Sequence, residues 1–250
     1  YVNSSDPADF EQVITNRTKG LFIESPTNPL MKQIDITALA KVAEKNKILL
    51  IVDNTFYTPY LQRPLEQGAD IVLHSGTKYL GGHNDVLAGL VVARDGKLLE
   101  ELRLEQNSSG AVLSPFDSWL LMRGMKTLGL RMRQHEENAK QLVKFLEQSP
   151  FIADVLYPSK GGMVSFRVQD ETAVPHLLEQ LKLITFAESL GGTETFITYP
   201  ATQTHYDIPE EIRSSYGVCN RLLRMSVGIE NVEDLTQDLQ QALENSHQHV

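Results

Sequence analysis

Residues 48–82 read ILLIVDNTFYTPYLQRPLEQGADIVLHSGTKYLGG. Two apolar runs stand out in this stretch, Ile48–Val52 and Ile71–His74. Neither alternates apolar with polar residues, which is the pattern of parallel strands buried on both faces. Asp53 closes the first run. Lys78 lies just past the second, flanked by Ser75, Thr77 and the Gly81-Gly82 pair.

Working outward from this stretch, strand-like and helix-like segments alternate. Gly20–Glu24 (GLFIE) is a short strand ending in the turn cluster SPTNP. Asp35 is placed to cap a helix over ITALAKVAEKN, whose apolar residues recur at helical spacing. Arg63–Gly68 reads as a short helical turn and Val86–Ala93 as a further strand. Strands separated by helices predict an α/β fold with a mostly parallel sheet. In such sheets ligands bind beyond the carboxyl ends of the strands. Glu24, Asp53 and Ser75 all fall at those ends.

Ser114-Pro115 opens a long helical stretch over 116–148, with a break expected near Gly124–Gly129. Beyond it the pattern becomes α+β. Strands are expected over 152–156, 163–168 and 222–227, and helices over 173–183 and 232–244. The predicted division is therefore a large domain over residues 1–131 and a smaller α+β domain over 132–250.

Composition narrows the function. The 250 residues are 41% hydrophobic, enough for a sizeable core. The formal net charge of −9 has the wrong sign for a general nucleic-acid or membrane-surface binder. No apolar run approaches a membrane span, and no signal peptide is recognisable. With one cysteine, Cys219, the chain forms no internal disulfide and no multi-cysteine metal site. The seven histidines show no metal-ligand spacing, and no metal is expected. A cytoplasmic setting fits this composition.

The chemistry-bearing residues suit pyridoxal 5′-phosphate (PLP), which requires an amine for a Schiff base, a carboxylate for its pyridinium nitrogen and small donors for its phosphate. Lys78 supplies the amine. It is badly placed for a solvated lysine, and the spacing of a nucleotide P-loop is absent. Asp53 reads either as a turn cap or as the partner of the ring nitrogen. Pairing with Lys78 favours the second. Ser75 and Thr77 are placed either to donate to phosphate oxygens or to bond the local backbone. Asn28 is a turn residue within reach of a cofactor ring. Arg224, inside a strand pattern, is either an internal ion-pair member or a bidentate clamp for a substrate α-carboxylate. Ser189 could join it, and Glu188 faces either substrate or solvent. His74 and His83 read as packing residues or as supports of the site.

These pieces resemble the PLP enzymes of cysteine and methionine metabolism over essentially the whole length. The matching stretches are ESPTNPLM, VDNTFYTPYLQRPLEQGADIVLHSGTKYLGGHNDV, GAVLSPFDSWLLMRGMKTLGLRM, GGMVSF, FAESLGG and LRMSVGIE. The resemblance implies the aminotransferase-like fold type I and a homodimer paired into a homotetramer. It implies Lys78 as the PLP-bound lysine, Asp53 at the pyridine nitrogen, Ser75 and Thr77 at the phosphate and Asn28 at the ring hydroxyl. Ser189 and Arg224 would then hold the substrate carboxylate. AESLGG and the short VLYPSKGGMVSF are similar to a bacterial γ-synthase and thiolyase branch. That implies a γ-replacement on O-acylhomoserine with cysteine or sulfide, in methionine biosynthesis and transsulfuration. A γ- or β-eliminating cystathionine lyase is the alternative. The family's amino-terminal region, with its glycine-rich phosphate loop, has no counterpart in the sequence. The chain is therefore expected to be part of a longer enzyme, binding PLP weakly by itself or only folding and assembling.

Overall fold

The structure, a computed structural model, describes residues 1–2 and 5–246. They form two compact units, Tyr1–Thr27 with Lys32–Leu128, and Asn28–Met31 with Gly129–Val250.

In the first unit a short helix α1 (Pro7–Gln12) precedes β1 (Gly20–Glu24). Helix α2 (Ile36–Asn46) leads into β2 (Leu49–Asp53). A single turn, α3 (Thr58–Leu61), and a tight turn at Pro64–Gln67 lead to β3 (Ile71–Ser75). A wide turn over Gly76–Leu80 then precedes β4 (Gly89–Ala93), α4 (Gly96–Ser109) and α5 (Pro115–Met125). The sheet order is β1-β2-β3-β4. The first three strands are parallel and β4 is antiparallel.

Local chemistry explains the helix ends. Asp35 caps α2 by accepting from Ala38 N at 2.9 Å, and Ser114 caps α5 by accepting from Asp117 N at 3.0 Å. One face of α2, with Ile36, Leu39 and Ala43, packs with Leu21, Ile23, Leu50, Val52 and Val72 from the strands. Burial of this stripe, rather than helix propensity, is what holds α2 in place.

In the second unit α6 (Leu128–Gln148) is followed by β5 (Ile152–Leu156), β6 (Met163–Val168) and α7 (Ala173–Gln180). Short strands β7 (Thr185–Phe186) and β8 (Phe196–Thr198) come next. Helix α8 (Glu210–Ser215), β9 (Leu222–Ser226) and α9 (Val232–Ser246) complete it. The sheet order is β5-β6-β9-β8-β7. Leu142, Leu146, Phe166, Leu177, Leu223 and Leu239 centre its core.

Several expected boundaries shift for visible reasons. The strand expected over 86–93 begins only at Gly89, because Ala88 is bonded to the wide turn through Gly76 N and the Thr77 hydroxyl. The helix expected over 173–183 stops at Gln180. There the Asp238 carboxylate draws the amides of Lys182, Leu183 and Ile184 out of helical pairing. The long helical stretch, by contrast, divides as expected: α5 and α6 are separated at Lys126–Thr127, within the window 124–129. Helix α4 was not expected from periodicity, and it buries none of its residues. Among the described residues no helix is long and apolar enough to cross a membrane, and no cluster of His, Cys, Asp and Glu could hold a metal.

Leu39 is 0% exposed in the α2 core. Leu39→Ala is expected to cost about 2–5 kcal/mol through lost burial and the cavity left behind. The unfolding midpoint in urea checks this.

Candidate active site

The register of the first sheet assembles the site. Glu24 is opposite Asp53 and Asp53 opposite Leu73, each at or near its strand's carboxyl end. Side chains alternate faces along a strand, so Leu73 and Ser75 share one face, and pairing puts Asp53 there too. His74 takes the other face.

The chain beyond Asp53 is tightly bound. Asp53 Oδ1 accepts from Thr55 N at 2.9 Å, and the Thr55 hydroxyl accepts from Ser75 N at 2.8 Å. Asn54 N donates to Leu73 O, and the Asn54 side chain exchanges hydrogen bonds with Gln62. Thr55 thus ties the end of β2 to the end of β3. Nothing in the sequence singled it out, since a threonine after Asp-Asn reads as an ordinary turn residue.

Lys78 is half-buried in the wide turn, between the buried Tyr79 and the half-buried Thr77. The turn is closed by Gly81 N bonding Gly76 O at 2.9 Å and by Gly82 N bonding Lys78 O at 2.8 Å. The Thr77 hydroxyl accepts from Ala88 N at 3.1 Å and lies 3.4 Å from Ala88 O. The bond is to backbone, as one of the two expectations had it, but to a residue eleven positions on rather than a local one. The Ser75 hydroxyl makes no capping bond to the turn.

His74 is buried, and its Nδ1 has no hydrogen-bond partner among the described residues. Desolvation lowers its pKa, while the charge of Asp53 and a hydrogen bond to the Asn54 backbone oppose the shift. Burial thus outweighs the nearby Asp53 carboxylate in setting the direction of the shift. His83 is exposed, with Nδ1 2.8 Å from Gly81 O.

The second unit holds the other candidates. Arg224, in β9, is 2% exposed. Its Nη1 donates to Asn28 Oδ1 at 2.9 Å, and its Nη2 donates to Thr198 Oγ1 at 2.9 Å and to Ser189 O at 3.1 Å. The structure thus brings together Asn28, Ser189 and Arg224, and adds Thr198, which no sequence motif marked. Ser189 offers its carbonyl to Arg224 from a left-handed backbone, φ 81°. Glu188 beside it is exposed.

The carboxyl end of β9 is anchored from three sides. His135 Nδ1 donates to Val227 O at 2.7 Å, and Asn138 Nδ2 donates to Gly228 O and Glu230 O. Glu230 accepts from the Thr195 amide and hydroxyl at 2.6 and 2.9 Å. Gly191 N donates to the Ser226 hydroxyl at 2.8 Å. These bonds fix the loop that carries Ser189 against the strand that carries Arg224.

Comparison with known proteins identifies the family and the fold. A family model described as Cys/Met metabolism PLP-dependent enzyme matches residues 1–244. The chain is 65% identical over 243 residues to a cystathionine gamma-synthase/O-acetylhomoserine (thiol)-lyase of Bacillus subtilis, covering 97% of this chain and 65% of that protein. It is 51% identical to a cystathionine gamma-lyase of the same organism, covering 98% of this chain and 69% of that one. A crystal structure of cystathionine gamma-lyase from Lactobacillus plantarum, complexed with L-serine, superposes with a TM-score of 0.94 at 42% identity. That match covers 97% of this chain and 68% of the solved one. The fold is the α/β fold type I of PLP enzymes, and the chain spans a little under two thirds of the Bacillus subtilis synthase.

The anchoring of β9 has a pH signature. Burial lowers the pKa of His135 to about 4, aided by the charge of Arg131 and opposed by the bond to Val227. Between about pH 6.5 and pH 4 the unfolded chain binds a proton that the folded protein refuses. This contribution is full above pH 6.5 and lost as pH falls to about 4, a change of about 3 kcal/mol. Urea midpoints across that range are expected to fall with pH. In His135→Asn, which keeps a donor toward Val227 without titrating, the slope is expected to flatten.

Proposed function

From the premise that the chain belongs to the Cys/Met metabolism PLP-dependent enzymes, we propose that it performs γ-replacement on an O-acylhomoserine. Cysteine as acceptor gives cystathionine, and sulfide gives homocysteine. One observation carries this: Asp53 and Ser75 share a face at the carboxyl ends of adjacent parallel strands, immediately before the turn of Lys78.

The residues present fit PLP by their chemistry. Asp53 has one oxygen committed to Thr55, and its other oxygen has no hydrogen bond among the described residues, leaving an acceptor for a protonated ring nitrogen. Ser75 leaves its hydroxyl for a phosphate oxygen. Lys78 would hold the group covalently and Asn28 would meet its ring hydroxyl. When bound, PLP supplies an electron-withdrawing ring that makes protons near the substrate amine removable.

The chain's own residues do the rest. Arg224, its guanidinium oriented by Thr198, Asn28 and the Ser189 carbonyl, binds the substrate α-carboxylate. Ser189 contributes to the same carboxylate, and Glu188 beside it is exposed. Beside the bound substrate, the Lys78 amine would take the Cα proton, pass it on and then take a Cβ proton, and protons would return to both carbons once the sulfur has added. The Cγ–O bond breaks, the acyl group leaves as its carboxylate, and the incoming sulfur forms the Cγ–S bond. A homo-oligomer and a cytoplasmic setting belong to the same proposal.

The second reading, elimination from cystathionine, has support from the 51% identity to the gamma-lyase. The 65% and 59% identities to the Bacillus subtilis and Haemophilus influenzae synthases favour replacement.

The purified protein supplied with PLP, O-acetyl- or O-succinylhomoserine and cysteine is expected to form cystathionine. Release of a keto acid from cystathionine alone, with no acyl substrate consumed, would sink the proposal. Lys78→Ala is expected to lower kcat at least about a hundredfold. Arg224→Lys, which loses the fork geometry, is expected to raise KM with a loss in kcat/KM of about a hundredfold.

A further inference from the structure

We propose that Gly124 is a positioning residue for Lys78, and that α5 acts through its backbone as a clamp on the lysine turn. This rests on the assignment of Lys78 above. A Cβ added at Gly124 would lie 2.1 Å from Gly81 O, 2.9 Å from Gly81 C and 3.0 Å from Leu80 O. All three are backbone atoms, so no side chain can swing aside to make room. The peptide under pressure is the one that closes the turn around Lys78, since Gly81 N bonds Gly76 O and Gly82 N bonds Lys78 O.

The same helix touches the other end of the turn. A Cβ at Gly76 would meet Leu121 Cδ1 at 3.2 Å, Leu90 Cδ1 at 3.0 Å and Ala88 Cβ at 2.8 Å. Leu121 and Gly124 are three apart and lie on one helix face. They therefore grip the turn at both of its ends. Opposite them, Val86 Cγ1 would be 2.8 Å from a Cβ at Gly81, and Ala88 is bonded to Gly76 and Thr77. Lys78 itself has φ −96° and ψ −132°, outside the helical region of its neighbours. Regular helical bonding therefore does not fix its direction, and the surrounding walls do.

A methyl group at position 124 lies 2.1 Å from Gly81 O, so the Gly81 peptide, or the helix, would have to move by more than about 1 Å to reach ordinary contact at 3.4 Å. A misplacement of that size costs about a hundredfold in a reaction that depends on orientation. The proposal differs from a packing role because its effect is confined to the turn and to the direction of the Lys78 amine.

The test uses Gly124→Ala, which pushes the turn, and Leu121→Ala, which removes bulk without a clash. Two readouts are taken besides turnover. Hydrogen exchange of the Gly81 and Gly82 amides needs no cofactor and is expected to quicken about tenfold in both variants, with the α2 amides unchanged. The rate of borohydride-trappable PLP attachment at Lys78, mapped by peptide mass, is expected to fall about a hundredfold in Gly124→Ala. Wild-type exchange and trapping in a folded Gly124→Ala protein would overturn the proposal. If that variant does not fold, wild-type exchange in Leu121→Ala does so instead. Should the wild-type protein trap PLP on another lysine, the assignment of Lys78 fails, while the exchange rates still judge the clamp separately.

Discussion

The parallel pairing of β2 with β3 is the constraint on which the first unit depends. Two side-chain clasps fix its register. At the start, the Asp70 carboxylate accepts from Leu50 N at 2.8 Å while Asp70 N donates to Leu50 O at 2.9 Å. At the end, Asn54 N bonds Leu73 O and Ser75 N bonds the Thr55 hydroxyl. A slip of one residue would turn Asp53 to the opposite face and bury a carboxylate where Val52 now packs. Register and site chemistry are therefore a single requirement in this sheet.

The second unit solves a different problem, a guanidinium inside a strand. Burial of an unpaired charge costs several kcal/mol. The Arg224 side chain is met by an amide oxygen, a hydroxyl and a backbone carbonyl, all neutral acceptors. These acceptors orient the fork of the guanidinium within the strand. The price is an elaborate frame. The left-handed Ser189 is held by Arg224, Gly191 by Ser226, and Thr195 by Glu230, so the loop is pinned repeatedly along its length.

Close approach of backbones is the third theme. At Gly124, Gly81 and Gly76 the neighbouring atoms leave no room for a side chain. Each of these contacts borders the turn of Lys78. A flexible lysine stem is thereby mounted on a backbone with little freedom, which suits the role proposed for its amine.

The sequence by itself determined the chemistry and the kind of fold. Apolar runs such as LLIV and IVL marked the parallel strands, but not their expected burial on both faces: β2 alternates, with Leu50 and Val52 buried and Leu49 exposed. An acid and a lysine at the strand ends require a partner of matching chemistry. The caps at Asp35 and Ser114 were legible because capping bonds span only three residues. The α4 helix was not, because GKLLEELRLEQNSS buries no stripe by which periodicity could be recognised. Tertiary structure alone decided the rest. The Thr77 hydroxyl is bound to Ala88, eleven residues on, and Arg224 to Asn28, 196 residues back. The Gly124 contact with Gly81 likewise joins a helix to a distant turn. Hydrogen bonds and steric walls between remote segments leave no periodicity in the chain, since they exist only once the packed strands and helices bring those segments together.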